Sequence, residues 1–338
     1  MNSEPVKTID KTTRKRTRPI ASSIIAIMLI ALAILLYTFL KPIELRTYEL
    51  PGKLYPAQEL FRYPSEDSIY IPSVSEVRVS RWSDYLFLKM KYGGLLQEFE
   101  QPKEQGYEFK KDPPEMMEFD IEQRESQLYV TLPAYIAGSN EADYPVQYGH
   151  EFEILTLPPG INDDDLLSAT IITIEGYPPT LEKVKEILAS KSRHQIKARS
   201  RDGKIVLLDT TLYGVNVNAH YTINELWKFG DLMRFDLANV KGNSCGAATA
   251  YEVMLKQKET SNKQGEFVIT GAIDAEGNIT GVGGVKAKTY LAIKNSIPVM
   301  FVPKGMNYEE AIKMKSLMKC NIEIVPIQKL GDIDAHWL

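Results

Sequence analysis

The apolar residues of this chain follow three different patterns. From Ile20 to Leu40 they run unbroken: IASSIIAIMLIALAILLYTFL is 21 residues long and carries no charge. At about 1.5 Å per residue this gives about 31 Å of helix, the thickness of a bilayer's hydrocarbon core. A helix buried in a soluble core keeps polar positions on one face, so 20–40 reads as a transmembrane helix. Further on, VSEVRVS (74–80), DYLFLKM (84–90), SQLYVTLPAYIAG (126–138) and HEFEILTLP (150–158) read as strands. Between Lys41 and Pro72 prolines and tyrosines recur without a period, which reads as a juxtamembrane linker. The charged, proline-bearing run at 100–120 reads as loop.

The third pattern alternates strands with helices. ATIITIEG (169–176) predicts a strand. PPTLEKVKEILAS then predicts a helix with Leu181, Val184, Ile187 and Leu188 on one face and Thr180 as its N-cap. HQIKARSRDGKIVLLDTTL predicts a hairpin turning at Asp202–Gly203. From about Val215 the order is strand (232–240), helix (244–256), a glycine-rich hairpin turning at Glu276–Gly277, helix, strand, helix, strand. This tail is an α/β domain with a core of its own.

Bulk properties remove several function classes. The 338 residues suffice for two domains and carry a formal net charge of −4, so no basic field argues for nucleic acid. Cys245 and Cys320 form no CxxC, and His150, His194, His220 and His336 have no metal-ligand spacing, so no metal and no cofactor is expected. Lys7, Lys11, Arg14, Lys15, Arg16 and Arg18 precede the apolar stretch. By the positive-inside rule that end stays cytoplasmic and everything after Lys41 lies outside. LLYTFLKPIEL offers no small-x-small cleavage site, which favours an uncleaved anchor over a signal peptide.

The chemistry gathers at GNSCG, residues 242–246. Ser244 opens a predicted helix after a predicted strand, where free backbone N–H groups can hold an oxyanion. A serine at a helix start can equally be a plain N-cap, and the local residues do not separate the two. A serine nucleophile needs a base. GNSCG also fits the G-x-S-x-G elbow, but that arrangement needs a downstream histidine, and His336 stands in the fraying end of the sequence. The other base is a lysine of GGVKAK, where Lys286 and Lys288 begin the next helix. A lysine acts as a base only when neutral, which desolvation favours.

GNSCGAATAYEVM together with ITGAIDAEGNITGVGGVKAKTYLAIKNSIPVMFVP resembles the proteolytic domain of Lon proteases over about 215–338. The resemblance implies an ATP-independent peptide hydrolase here, since no Walker A motif is present. It implies Ser244 as nucleophile, Lys288 as general base and Thr270 as the residue orienting the lysine amine. Backbone N–H groups of Ser244 and Cys245 would form the oxyanion hole, and Lys286 would face outward. Where the family has GPSAG, this chain has Asn243 and Cys245, and Lys241 stands where an acidic residue is frequent. Cys245 reads as a small packed residue, with a substitute nucleophile as the less favoured alternative. A positive Lys241 near the dyad would favour a neutral Lys288.

The strand–helix–hairpin run within 127–214 resembles the C-terminal half of a PDZ domain. The whole chain thereby resembles the membrane-anchored PDZ/Lon-like proteases of Gram-positive bacteria. The expected layout is a basic cytoplasmic tail (1–19), a single transmembrane helix (20–40), a linker and β-rich region (41–126), a PDZ-like domain (127–214) and an α/β Lon-type domain (215–338). The expected partners are a protein or peptide substrate and the membrane, with oligomerisation left open. The departures at Asn243 and Cys245 keep a second reading in play, a membrane-anchored scaffold that binds a protein without cutting it.

Overall fold

A computed structural model describes residues 17–62, 68–101, 131–157, 166–224, 228, 232–233 and 243–338. They belong to two compact units, Met1–Leu50 with Ser75–Glu108, and Pro51–Val74 with Phe109–Leu338.

The first unit contains helix α1 (Thr17–Leu40), the outer part of strand β1 (Pro42–Pro56), the far part of β2 (Ile69–Arg81), and helix α2 (Trp82–Tyr92). The side chains of 17–23, 34, 35 and 38 lie outside the described residues. Among the described residues no helix is long and apolar enough to cross a membrane. The reading of DYLFLKM as a strand is corrected, because these residues form α2. Tyr85, Leu88 and Tyr92 recur at helical spacing, and Leu88 and Tyr92 are buried, with Tyr92 edge-on to Phe99. Packing at that period outweighs the local strand preference. The linker reading of 41–72 is corrected as well, since β1 and the start of β2 fill most of it. β1 lies at a sheet edge, where Pro51 removes no ladder bond that a central strand would need.

The second unit holds a five-stranded sheet in the order β1-β2-β8-β11-β12, with β8 (Phe267–Ile269), β11 (Val299–Pro303) and β12 (Glu323–Ile327). β2, β8, β11 and β12 are parallel, with Ile69 opposite Phe267 and Phe301 between Ile269 and Val325. Both faces are covered, as a parallel sheet requires. Phe267, Ile269 and Phe301 pack against helix α3 (131–141) and helix α5 (Gly246–Gln257). Val268, Met300 and Val302 face helices α6 (Val285–Lys294) and α7 (Met306–Met318). A short α8 (Asp332–His336) closes the chain. The tail expected as an independent 215–338 domain thus shares its sheet with β2, a strand nearly 200 residues upstream.

α3 corrects the strand reading of 126–138 within its described part. Ala134, Ala137 and Gly138 give it a narrow face that approaches α5. A Cβ on Gly138 would stand 2.2 Å from the Ala250 carbonyl oxygen, so only glycine permits this approach.

Between α3 and α5 the chain builds an antiparallel sheet in the order β6-β5-β4-β3-β7. Its strands are β3 (Tyr148–Ile154), β4 (Thr170–Ile174), β5 (His194–Arg199), β6 (Ile205–Thr210) and β7 (Val217–Ile223). Helix α4 (Leu181–Ala189) buries Val184 and Ile187 with Phe152, Ile171 and Ile196 in a separate core. Thr180 caps α4 by accepting from Lys183 N at 3.2 Å, as the sequence predicts. The β9–β10 hairpin (Ala272–Ile273 with Ile279–Thr280) follows β8 and precedes α6. The strand expected at 232–240 falls almost wholly outside the described residues.

Candidate active site

Asn243–Cys245 form one 3₁₀ turn that runs into α5, and Ser244 lies half-buried in it. This turn is laced to the segment leaving β8. The Ser244 carbonyl accepts from Gly271 N at 3.1 Å and from the Thr270 hydroxyl at 3.3 Å. The Gly271 carbonyl in turn accepts from Ala247 N at 3.0 Å. Gly271 sits at φ +154, and a Cβ there would come within 2.7 Å of Ile279 Cγ2. The lacing therefore holds Ser244 against the two loop residues between β8 and β9, through main-chain bonds joined by the Thr270 hydroxyl.

Lys288 is 2 % exposed, a charged residue inside the α/β core. Its place follows from α6, whose first turn buries Val285 and Ala287 and carries Lys288 inward with them. Lys286, expected to face outward, is half-buried on the same helix, about 200° around it from Lys288. Cys245, 2 % exposed, connects the two parts electrostatically. Burial pushes its thiol up to about 11, while the Thr249 hydroxyl, its own backbone and the positive charge of Lys288 act in the other direction. Lys288 thus acts on the residue next to Ser244. A buried thiol pushed up in this way fits a packing residue better than a nucleophile.

Thr270 is fully buried, and its hydroxyl donates to the Ser244 carbonyl. A hydroxyl keeps two lone pairs for a second partner. Lys241 and Gly242 lie outside the described residues. His336 stacks edge-on with Phe301 and Trp337 and stands 3.8 Å from Glu323, a packing role.

One residue of the site escaped the sequence reading. Asn307, 8 % exposed at the start of α7, grips Val282 on both sides. Its Oδ1 accepts from Val282 N at 2.8 Å and its Nδ2 donates to Val282 O at 3.0 Å. The clamp fixes the glycine loop 281–284 from which α6 and Lys288 start. No motif signals it, because an asparagine at a helix start reads as solvent-facing.

The hairpin between Thr270 and Lys288 also touches the antiparallel module. Asp274 Oδ1 accepts from Glu276 N and Asn278 N, making a closed turn. Tyr148 of β3 donates to Glu276 Oε1 at 2.6 Å, and Tyr221 of β7 accepts from Ala275 N at 3.5 Å.

Residues 239–338 match the Lon protease (S16) C-terminal proteolytic domain. The archaeal Lon protease of Pyrococcus abyssi is 24% identical over 200 residues, 57% of this chain and 19% of that protein. The Lon protease of Mesomycoplasma hyopneumoniae is 34% identical over 86 residues, 25% of this chain and 9% of that one. The Lon protease of Brucella suis is 27% identical over 73 residues, 22% of this chain and 9% of that one. The chain thus spans less than a fifth of the length of these relatives. A Lon-type proteolytic domain is present, and such a domain supports serine-type peptidase activity in general.

Proposed function

We propose that this chain is a membrane-anchored serine endopeptidase that cleaves flexible or unfolded protein segments outside the cytoplasm without ATP. The observation that carries the reading is the burial of Lys288, 2 % exposed and close enough to Cys245, the neighbour of Ser244, to interact with it. An amine taken out of water favours its neutral form and can accept a proton. Lys288 Nζ takes the proton of Ser244 Oγ as Oγ attacks the peptide carbonyl carbon. The carbonyl π pair moves onto oxygen, where the Ser244 and Cys245 N–H groups at the opening of α5 stabilise it. Collapse of the intermediate breaks the C–N bond, and the lysine ammonium returns its proton to the leaving amine. Water, deprotonated by the same amine, then hydrolyses the acyl-enzyme. Thr270, tied to the Ser244 carbonyl, keeps the nucleophile's turn in place and offers a lone pair to the amine.

The anchor rests on the uncharged stretch 20–40 behind six basic residues, and on α1 being helical from Thr17 to Leu40. The antiparallel module with α4 on its face supports a PDZ-like role in gathering extended substrate. The test is cleavage of an unfolded protein, such as casein, by the full chain without nucleotide. Cleavage that vanishes in Ser244→Ala and Lys288→Met supports the dyad. Equal cleavage by wild type and both variants overturns it. An inert wild type that still captures a protein favours the scaffold.

A further inference from the structure

α2 has two apolar faces, and only one is used. Tyr85, Leu88 and Tyr92 look inward, where Leu88 and Tyr92 are buried and Tyr92 meets Phe99. On the other side Trp82 is 41% exposed, Leu86 36%, Phe87 62% and Met90 78%. At about 100° per residue these four fall within an arc of about 140°, opposite the inward face. Ser83, bonded to Asp84, shares that arc with them. Lys89 borders the arc on one side and Lys91 on the other. Their ammonium groups lie 5.8 Å from the Tyr85 ring and 5.2 Å from the Tyr92 ring. An apolar stripe with an aromatic residue, edged by lysines whose stems can snorkel, is the pattern of a helix lying in a bilayer surface.

The position of α2 says what would cover that stripe. Trp82 N donates to Lys41 O at 3.3 Å, and Lys41 directly follows α1. β2 therefore comes back to the point where β1 leaves α1, and α2 begins level with the end of that helix. The backbones of α1 and α2 approach within 8 Å of each other. Tyr37 and Phe39, 73% and 44% exposed, stand in the last turn of α1, where interfacial aromatics belong.

We propose that α2 is an interfacial helix that lays Trp82, Leu86, Phe87 and Met90 into the outer leaflet, with Lys89 and Lys91 on anionic lipid headgroups. The inference rests on the membrane-anchored reading. It adds a second attachment to the bilayer beside α1.

The test uses full-length protein in vesicles of phosphatidylcholine with phosphatidylglycerol, with or without bromine on the upper acyl carbons. Flotation reports anchoring, and bromine quenching of tryptophan emission reports the depth of Trp82. Trp82→Phe should float as well as wild type and lose a large part of the quenched emission. Phe87→Glu with Met90→Glu should also float, with Trp82 quenching reduced at least about threefold, because charge is disfavoured in the acyl region. Vesicles of phosphatidylcholine alone should quench Trp82 less, and Lys89→Ser with Lys91→Ser should erase that difference. A floating chain whose quenching is unchanged by Trp82→Phe overturns the inference and leaves the anchor standing. Trp82 shielded by another protein, shown by crosslinking without quenching, overturns it too. A chain that does not float removes the anchored reading and this inference together.

Discussion

The parallel-sheet region around Ser244 and the antiparallel module at 148–223 treat polar side chains in opposite ways. Thr249, Glu252, Thr270, Lys288, Thr289 and Asn307 are all buried in the first region. In the second, the buried polar residues among those described are Ser200 and Thr210, two small hydroxyls. The module keeps Arg193 and Asp209 paired at the surface and sets the partly buried Glu153 against His220. Partial burial works to raise the Glu153 carboxyl, yet bonds from His220 and Ser168 hold it below its usual range. Burying a charge is costly unless the site returns something for it. The core buries a lysine and a glutamate, Lys288 and Glu252, whereas the buried polar residues described in the module are two hydroxyls, and this contrast is what the proposed chemistry would explain.

Removing the buried amine should break this contrast most sharply. Lys288→Met keeps the volume and discards the charge. Cleavage should fall about 10²–10⁴-fold, the range for loss of a general base. The melting temperature should hold or rise, since replacing a buried charged group by an apolar one is often neutral or stabilising. A large drop in stability with activity intact would make Lys288 structural, and the contrast would lose its meaning.

The module offers the converse experiment. Phe152→Ala opens its separate core and should cost about 3–5 kcal/mol there, by lost burial and a cavity. Hydrogen exchange should show the loss across β3 to β6, while hydrolysis of a short peptide stays near wild type. If peptide hydrolysis collapses too, the two regions fold as one and the division is wrong.

How much of this was open to sequence reading depends on whether the signal was local. Thr180 as a cap, the turn at Asp202–Gly203 and the helices behind Ser244 and GGVKAK each have their cause within a few residues. Ser244 and Lys288 stand out as candidates in the sequence because glycine-rich turns and a lysine pair flag them. The β2–β8 pairing was not, because a ladder between Ile69 and Phe267 leaves no trace in either segment. α2 and α3 misled because short apolar runs with β-branched or aromatic residues suit both periods, and tertiary packing decides between them. Asn307 was hidden for a related reason, since its two bonds reach 25 residues back in sequence.

That clamp gives an intermediate effect. Asn307→Ala leaves Val282 N–H and C=O without their partner, at about 1–3 kcal/mol. Because the freed loop sets where α6 begins, kcat should fall about tenfold with KM little changed, a loss felt in the transition state. Asn307→Asp keeps the acceptor and loses the donor, so it should fall between the two. A change in KM alone would mean that the loop touches substrate and does not position the lysine.

The smallest effect lies at the seam between the two regions, at the 2.6 Å bond from Tyr148 to Glu276. That bond, followed by burial and the Glu276 charge, pushes the Tyr148 hydroxyl up to about 12 from its ordinary 10.0. A raised pKa means that the folded state holds its proton while the unfolded chain has already released it. The stabilisation is therefore complete below pH 10, fades as pH rises toward 12, and is gone above that. Because the ring is partly open to solvent, screening should limit the gain to about 1 kcal/mol or less. Tyr148→Phe should lower stability slightly at neutral pH and show a shallower loss between pH 10 and 12 than wild type. It should also loosen the β9–β10 turn that separates Thr270 from Lys288. If proteolysis of long unfolded substrates falls while short-peptide hydrolysis does not, the seam transmits from the module to the site. Equal changes in both would reduce it to a fastening between two regions that work independently.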